Sequence, residues 1–229
     1  MQEQDLKLLE VAWRSVTQRA EAAAQGRPVQ GLAVSKTKPA AAIRALAARG
    51  QPAFGGNYVQ EALAKQAELA GCAIEWHLIG PLQSNKCREV AEHFDWLQTV
   101  DRPKLVGLLA RHRPDGMAPL NLLIQVNIDD EASKAGCQPD AIGPLADAIA
   151  GEPRLCLRGL MAIPAPAPDL DARRRAFARM RGCFDALRAS HPAVDTLSMG
   201  MSEDFELAIR EGATMVRVGS LLFGARSRE

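Results

Sequence analysis

The sequence predicts an α/β protein, specifically a single (β/α)8 barrel of the TIM type with an extra N-terminal helix, forming one domain over residues 1–229. Short apolar or β-branched runs alternate with amphipathic segments without interruption, which indicates a parallel sheet. Eight such runs can be counted, and eight β/α units in about 200 residues fit the small end of the size range of these barrels. An open, doubly wound sheet is the alternative.

Each element has its own signal in the sequence. The opening helix is predicted from the helical spacing of Leu6, Leu9, Trp13, Val16 and Ala20, and it ends near residues 26–28. The strands are predicted to end near Lys36, Gly55, Gly80, Val100, Asn127, Ile163, Met199 and Gly219. The helices between them are predicted at 39–49, 57–69, 84–92, 102–112, 139–150, 169–188 and 203–210. Their apolar residues share one side, as expected of helices that cover a barrel.

The charge and the cysteines argue against several classes of protein. The formal net charge is +1 with acids and bases interspersed, so no global field recruits nucleic acid or an anionic membrane. The five cysteines are scattered and odd in number, which argues against a disulfide framework or a zinc site. No apolar run approaches the roughly 20 residues of a membrane span. We therefore expect a cytoplasmic protein, and we interpret the arginines within 173–181 as a solvated helix face.

The segment at residues 34–39 predicts a reactive lysine. It follows an apolar strand and precedes a helix, because Pro39 suits a first helical turn. Lys36 therefore lies at a strand end, where low-dielectric walls disfavour the ammonium form of its side chain. An amine in this setting can condense with an aldehyde. An isolated lysine at a strand end would more often point into water.

Two turns near the C-terminus are suited to an anion. The turn at 198–202 after the seventh strand is rich in small residues, and Gly219 and Ser220 follow the eighth strand. The loops after strands seven and eight of these barrels frequently bind phosphate. Arg217 lies two residues before Gly219, so strand alternation puts both on one side. A ligand that carries an aldehyde and a phosphate would satisfy these turns and Lys36 together, and pyridoxal 5'-phosphate (PLP) is the common cofactor of that description.

Six segments of the sequence resemble one family. They are residues 33–39 around Lys36, 54–61 (Phe-Gly-Gly-Asn-Tyr-Val-Gln-Glu), 76–86, 159–161, 197–202 and 216–220. Together they are similar to the YggS-type (PROSC-type) pyridoxal phosphate homeostasis proteins. The resemblance implies a barrel related to the N-terminal domain of alanine racemase, with PLP held as a Schiff base on Lys36.

The resemblance also implies roles for other residues. Around the phosphate it places Ser198, Gly200, Met201, Gly219 and Ser220, largely through backbone N–H groups. Arg217 would approach the pyridine nitrogen, and Asn57 would lie beside the ring. The chain departs from the family at Gly56, where the family usually has glutamate. That departure puts in doubt any role of this carboxylate.

The predicted function is to hold, buffer and deliver PLP inside the cell with little or no turnover. A racemase of this type needs a second acid or base, commonly a tyrosine, and the sequence has one tyrosine, Tyr58. The alternatives are a weak PLP-dependent racemase using Lys36 and His77, and a Schiff-base aldolase. Possible recipients are apo PLP-dependent enzymes, and we expect a monomer without nucleic acid, membrane or metal partners. Lys38, Lys65, Lys86 and Lys134 are candidates for a weaker second PLP site, although each fits a surface lysine.

Overall fold

The computed structural model of the chain describes residues 3–129, 135–165 and 169–224. Within these ranges the helices are α1 (Glu3–Ala24), α2 (Ala40–Ala47), α3 (Val59–Glu68), α4 (Cys87–His93), α5 (Pro103–His112), α6 (Ile142–Ala150), α7 (Leu170–Ser190), α8 (Phe205–Arg210) and α9 (Ser220–Phe223). The strands are β1 (Gln30–Val34), β2 (Ala53–Gly56), β3 (Glu75–Leu78), β4 (Trp96–Val100), β5 (Leu120–Gln125), β6 (Leu155–Met161), β7 (Thr196–Met201) and β8 (Met215–Val218). Short 3-10 turns, Ser84–Lys86 and Pro139–Ala141, precede α4 and α6.

The eight strands form a closed parallel barrel in sequence order. The barrel closes between β1 and β8, where Leu32 is paired with Arg217 and Ala33 with Val218. The predicted (β/α)8 barrel with its N-terminal helix is therefore confirmed, and the open sheet is excluded. Closure brings the two ends of the sequence side by side, because β1 lies between β2 and β8.

The helices bury the faces that their spacing predicts. Ile142, Leu145, Ala146 and Ile149 of α6 are buried, as are Phe177, Met180, Phe184 and Leu187 of α7. All seven helices predicted between the strands begin one to three residues later than predicted. The segment predicted at 203–210 is helical only from Phe205, and α2 begins at Ala40. The residues ahead of Phe205 form a turn that borders the candidate site described below.

The N-terminal helix packs against the last β/α units. Arg19 of α1 forms a two-pronged ion pair with Glu206 of α8, at 3.1 and 2.9 Å. Arg27 donates to the carbonyl oxygen of Ile209. A cavity of about 790 Å³ lies between α1 and the strand beginnings, at the opposite end of the barrel from Lys36. Its lining within the described ranges contains no lysine.

The barrel interior is partly polar. Leu32, Ala53, Met215 and Ile79 form one apolar cluster, and Trp96, Leu123 and Met161 form another. Between them lie buried polar side chains, which are His77, Gln98, Gln125, Ser198 and Arg217. Buried polar groups require hydrogen-bond partners, and those of His77, Gln98, Ser198 and Arg217 connect to the candidate site.

Candidate functional site

A cavity of about 350 Å³ opens at the carboxyl ends of the strands. This volume lies within the usual range for small-molecule sites. Six of the residues predicted from the sequence line it, and they are Lys36, Asn57, Met201, Arg217, Gly219 and Ser220. The structure therefore brings the predicted amine and both predicted anion turns to one cavity.

The loop that carries Lys36 is braced from α3. Thr37 adopts the left-handed region with φ of 62°, which is uncommon for a β-branched residue. Its backbone N–H donates to Glu61 Oε1 at 2.6 Å. Lys65 binds the same carboxylate at 2.6 Å and donates to the carbonyl oxygen of Ser35 at 2.8 Å. These contacts hold the backbone on both sides of Lys36, whose side chain is partly buried.

The next lysine joins this loop to the last helix. Lys38 Nζ donates to the carbonyl oxygen of Phe223 at 2.8 Å. Lys38 and Lys65, two of the four lysines predicted for a weaker second PLP site, therefore both form structural hydrogen bonds. Lys86 pairs with Glu89 at 3.0 Å, and Lys134 lies outside the described residues. The second cofactor site stays a prediction without support from these contacts.

Asn57 is placed by a close approach of two strand ends. A Cβ atom at Gly80 would lie 2.1 Å from the carbonyl oxygen of Asn57, so only glycine fits at position 80. At Gly56 a Cβ atom would instead meet Ala62 of α3 at the ordinary distance of 3.9 Å. A side chain at position 56 would thus point toward α3, away from the barrel interior. Gly56 is not among the residues that line the cavity.

The two turns near the C-terminus present backbone N–H groups to side-chain oxygens. The N–H groups of Gly219 and Leu221 donate to Ser202 Oγ, at 3.2 and 3.5 Å. The N–H of Met201 donates to Asp204 Oδ1 at 2.7 Å. Phosphate oxygens accept the same kind of hydrogen bond, so this donor set fits a phosphate group.

An ion pair borders the turn after β7. Asp204 Oδ2 lies 3.4 Å from Arg173 Nε of α7, and both side chains are largely shielded and line the cavity. The interpretation of the α7 arginines as a solvated face was therefore wrong for Arg173. It was right for Arg174 and Arg179, whose side chains remain more than half exposed although they form ion pairs.

Arg217 reaches the cavity from the barrel interior. It is 4% exposed, and its guanidinium donates to Ser198 O at 2.9 Å, Ser198 Oγ at 2.8 Å and Ala162 O at 2.8 Å. Burial lowers the pKa of Arg217 to about 10, while the charge of Asp204 acts in the opposite direction. The guanidinium is therefore a cation at neutral pH.

Two predicted residues lie next to the cavity without lining it. Ser198 is fully buried, and its hydroxyl donates to Gln98 Oε1 at 2.7 Å. Gly200 has φ of 92°, and a Cβ atom there would lie 2.4 Å from Cβ of Ala208, which shows how closely β7 packs on α8. A role of Ser198 and Gly200 around a phosphate stays a prediction, whereas both residues shape the turn that follows them.

His77, the candidate second base, lies away from the cavity. Its ring is fully buried within the barrel, stacks on Trp96 with centroids 5.0 Å apart and hydrogen-bonds Glu75 and Gln98. The spacing of polar residues along β3 and β4 did not identify Gln98, because period-two alternation gives the face of a strand but not the partners across a barrel.

Comparison with known proteins identifies the family. The model of the alanine racemase N-terminal domain matches residues 5–227. A curated relative from Pseudomonas aeruginosa, named pyridoxal phosphate homeostasis protein, is 53% identical over 212 residues, which cover 92% of this chain and 91% of the relative. The chain belongs to the pyridoxal phosphate homeostasis protein family. A relative of the same name from Escherichia coli K12 is 52% identical over 198 residues, covering 85% of each chain. The resemblance read from the six segments is thereby confirmed.

Solved structures of this family have the same barrel. PipY of Synechococcus elongatus PCC7942 with PLP bound is 41% identical, with a TM-score of 0.78 over 90% of this chain and 99% of PipY. The structure of PipY without PLP gives a TM-score of 0.80. Alanine racemase from Corynebacterium glutamicum is 19% identical with a TM-score of 0.72 over 61% of its length, and it shares the fold. Among the helices described here, none is long and apolar enough to cross a membrane.

Proposed function

We propose that this chain binds PLP in the 350 Å³ cavity and acts in intracellular PLP homeostasis, holding the cofactor and releasing it to other proteins. The Lys36 amine and the PLP aldehyde would form a Schiff base with loss of one water molecule, and hydrolysis would return both. The observation that carries the proposal is that Lys36 and the N–H groups of the two C-terminal turns border one cavity. The PLP-bound structure of PipY and the names of the relatives support it.

The donor and acceptor set fits each part of the cofactor. The phosphate would replace Ser202 Oγ and Asp204 Oδ1 as acceptor for the N–H groups of Gly219, Leu221 and Met201. The guanidinium of Arg217 would face the pyridine nitrogen as a cation. A cation at that position disfavours protonation of the ring nitrogen, because two adjacent positive charges repel. The ring is then a weaker acceptor of electrons.

We also propose that catalytic turnover is low. A racemase needs two groups on opposite faces of the substrate that exchange protons. The cavity lining within the described ranges contains no histidine and no tyrosine, and the side chain of Tyr58 lies outside it with 65% of its surface exposed. We place this function in the cytoplasm, with apo PLP-dependent enzymes as recipients and a monomer as the working unit.

The proposal is tested by loading the purified protein with PLP and reducing it with borohydride. We expect a Schiff-base absorption band that borohydride removes, and a reduced adduct mapped by mass spectrometry to Lys36. Lys36→Ala should lose both, whereas Lys104→Ala, an exposed lysine of α5, should keep both. Wild-type protein without the band, or an adduct absent from Lys36, would contradict PLP attachment at this site.

Turnover and delivery need separate measurements. Incubation of the loaded protein with D- and L-amino acids in deuterated water should give no sustained exchange of the α-proton. Exchange that exceeds the amount of protein would instead indicate the weak racemase. Mixing the loaded protein with an apo-aminotransferase, while a trap removes free PLP, should restore aminotransferase activity. No restoration under these conditions would contradict delivery.

A further inference from the structure

A continuous chain of hydrogen bonds runs through the barrel interior and ends at Arg217 in the cavity. It begins at Glu75, the first residue of β3, whose Oε1 lies 2.8 Å from His77 Nε2. His77 Nδ1 lies 3.0 Å from Gln98 Nε2, and Gln98 Oε1 lies 2.7 Å from Ser198 Oγ. Ser198 Oγ then lies 2.8 Å from Arg217 Nη1. The three central side chains are fully buried.

Chemistry fixes the direction of this chain at the cavity end. A guanidinium donates hydrogen bonds and accepts none, so Ser198 Oγ accepts from Arg217. The single hydroxyl proton of Ser198 must then point to its other neighbour, Gln98 Oε1. With its carbonyl oxygen used in this way, Gln98 presents its NH2 group to His77 Nδ1.

The hydrogen bonds at the Glu75 end have the same donor-to-acceptor order. Because Gln98 donates to it, His77 Nδ1 must be the unprotonated nitrogen, and the ring proton lies on Nε2, facing the Glu75 carboxylate. Burial favours this neutral ring and lowers the pKa of His77, although the charges of Glu75 and Asp95 oppose that effect. A second proton on His77 would force the Gln98 amide to turn round and would leave the Ser198 hydroxyl without its acceptor.

Arg217 depends on this alignment because its described hydrogen bonds go to neutral groups. They are formed with Ser198 and Ala162. A hydroxyl group rotates freely unless an acceptor holds its proton, and here that acceptor is Gln98 Oε1. When the proton points to Gln98, a lone pair of Ser198 Oγ faces the guanidinium.

We propose that Gln98 and His77 are positioning residues for Arg217: their one-way hydrogen-bond chain orients the Ser198 hydroxyl and thereby holds the guanidinium at the wall of the cavity. The importance of this position for the cofactor rests on the proposed function, in which Arg217 faces the pyridine ring. The orientation of Arg217 itself does not depend on the proposed function and can be measured without PLP.

Two variants at position 98 separate positioning from simple packing. Gln98→Met keeps the approximate length of the side chain and removes both the acceptor for Ser198 and the donor to His77. Gln98→Glu keeps an acceptor for Ser198 but offers only an acceptor to His77 Nδ1, so the chain closes again only when His77 takes a second proton. Thr196→Val is the matched control, because it removes a buried hydroxyl of β7, the strand of Ser198, that bonds Asp195 and takes no part in the hydrogen-bond chain.

Nitrogen NMR of the protein without PLP gives the first test. In the wild type we expect the His77 proton on Nε2 and slow rotation of the Arg217 guanidinium, with separate Nη signals. Gln98→Met should speed this rotation, whereas Gln98→Glu should keep it slow and convert His77 to the imidazolium form. Thr196→Val should match the wild type. If Gln98→Met does not fold, Ser198→Ala should show the same fast rotation.

PLP titration gives the second test. We expect the Kd for PLP to rise roughly threefold to tenfold in Gln98→Met, as for the loss of one net hydrogen bond, and to stay near the wild-type value in Gln98→Glu. A wild-type His77 with its proton on Nδ1, or slow Arg217 rotation in Gln98→Met, would overturn the proposal. Failure of the wild type to bind PLP would overturn the proposed function alone, since the NMR results would still decide the positioning role.

Discussion

Asp204 accepts a hydrogen bond from the backbone N–H of Met201 at 2.7 Å, so a carboxylate lies within the turn that we expect to bind phosphate. The other oxygen of Asp204 pairs with Arg173. A carboxylate and a phosphate repel each other when they share donors. Asp204 is therefore expected to weaken the hold on the phosphate and to favour release.

Removal of this charge should tighten binding. Asp204→Asn keeps an oxygen for the Met201 N–H, loses the negative charge and releases Arg173. We expect the Kd for PLP to fall roughly two- to fivefold, as for one partly screened charge pair, in a fluorescence titration. Glu203→Gln, which neutralises an exposed carboxylate at the same cavity, is the control and should change little. Weaker binding by Asp204→Asn would show that the carboxylate acts mainly as a support for the turn.

Loss of the brace behind Lys36 should reduce covalent loading. Glu61→Ala removes the acceptor shared by the Thr37 N–H and Lys65, so the loop at residues 35–38 loses one bond at its strained position, and Lys65, which holds the Ser35 carbonyl, loses its ion-pair partner. We expect the PLP concentration that gives half-maximal Schiff-base absorption to rise roughly threefold to tenfold. Glu68→Ala, at an exposed position near the end of the same helix, should leave it unchanged. An equal effect of both substitutions would point to α3 stability as the cause.

Glycine-to-alanine substitutions should have opposite effects at two positions. Gly80→Ala puts a methyl group against the carbonyl oxygen of Asn57, and we expect the free energy of unfolding to fall by about 1–3 kcal/mol, with weaker PLP binding. Gly107→Ala lies inside α5 with no heavy atom within 4 Å of the new methyl group. It should raise the free energy of unfolding by about 0.5–1 kcal/mol. Urea unfolding measures both, and a neutral Gly80→Ala would contradict the close approach.

Acid should destabilise the barrel in part through Glu75. Burial by itself raises the pKa of this carboxyl group, but hydrogen bonds from His77 and Gln30 lower it to about 2 from 4.5. The unfolded chain therefore takes up a proton at a higher pH than the folded protein does. The stability that Glu75 contributes is present above about pH 4.5 and is lost as the pH falls toward 2.

Urea unfolding at pH 5, 4 and 3 tests this dependence. The difference in the free energy of unfolding between the wild type and Glu75→Gln should shrink as the pH falls, because the unfolded wild-type chain takes up a proton at Glu75 while the folded protein keeps this carboxylate charged. A difference for Glu75→Gln that stays constant over this range would refute the prediction.

The sequence was sufficient for the barrel and for the residues at its rim. Parallel strands place their carboxyl ends at one edge, so Lys36, Asn57 and Gly219 could be expected near one another before their distances were known. Alternation along β8 correctly put Arg217 and Gly219 on the same side, and both line the cavity. These predictions were possible because neighbouring parallel strands end at the same edge of the barrel.

Depth within the barrel was not predictable in the same way. The pairing of β7 with β8 shifts between Ser198 and Met201, so counting along β7 does not give the layer in which Ser198 lies. The pair of Arg173 and Asp204 joins segments 31 positions apart in the sequence, and the spacing of either segment carries no sign of it. The left-handed conformation of Thr37 was also hidden, because threonine is not a residue type that favours it.

Closure of the barrel between β1 and β8 determines when the site can exist. Lys36 belongs to the first β/α unit, whereas Gly219 and Ser220 follow the last strand. During synthesis the amine leaves the ribosome long before the turns that are to hold the phosphate. A nascent chain therefore has no complete pocket until β8 has emerged and paired, and we expect the cofactor to select fully folded molecules over partial ones.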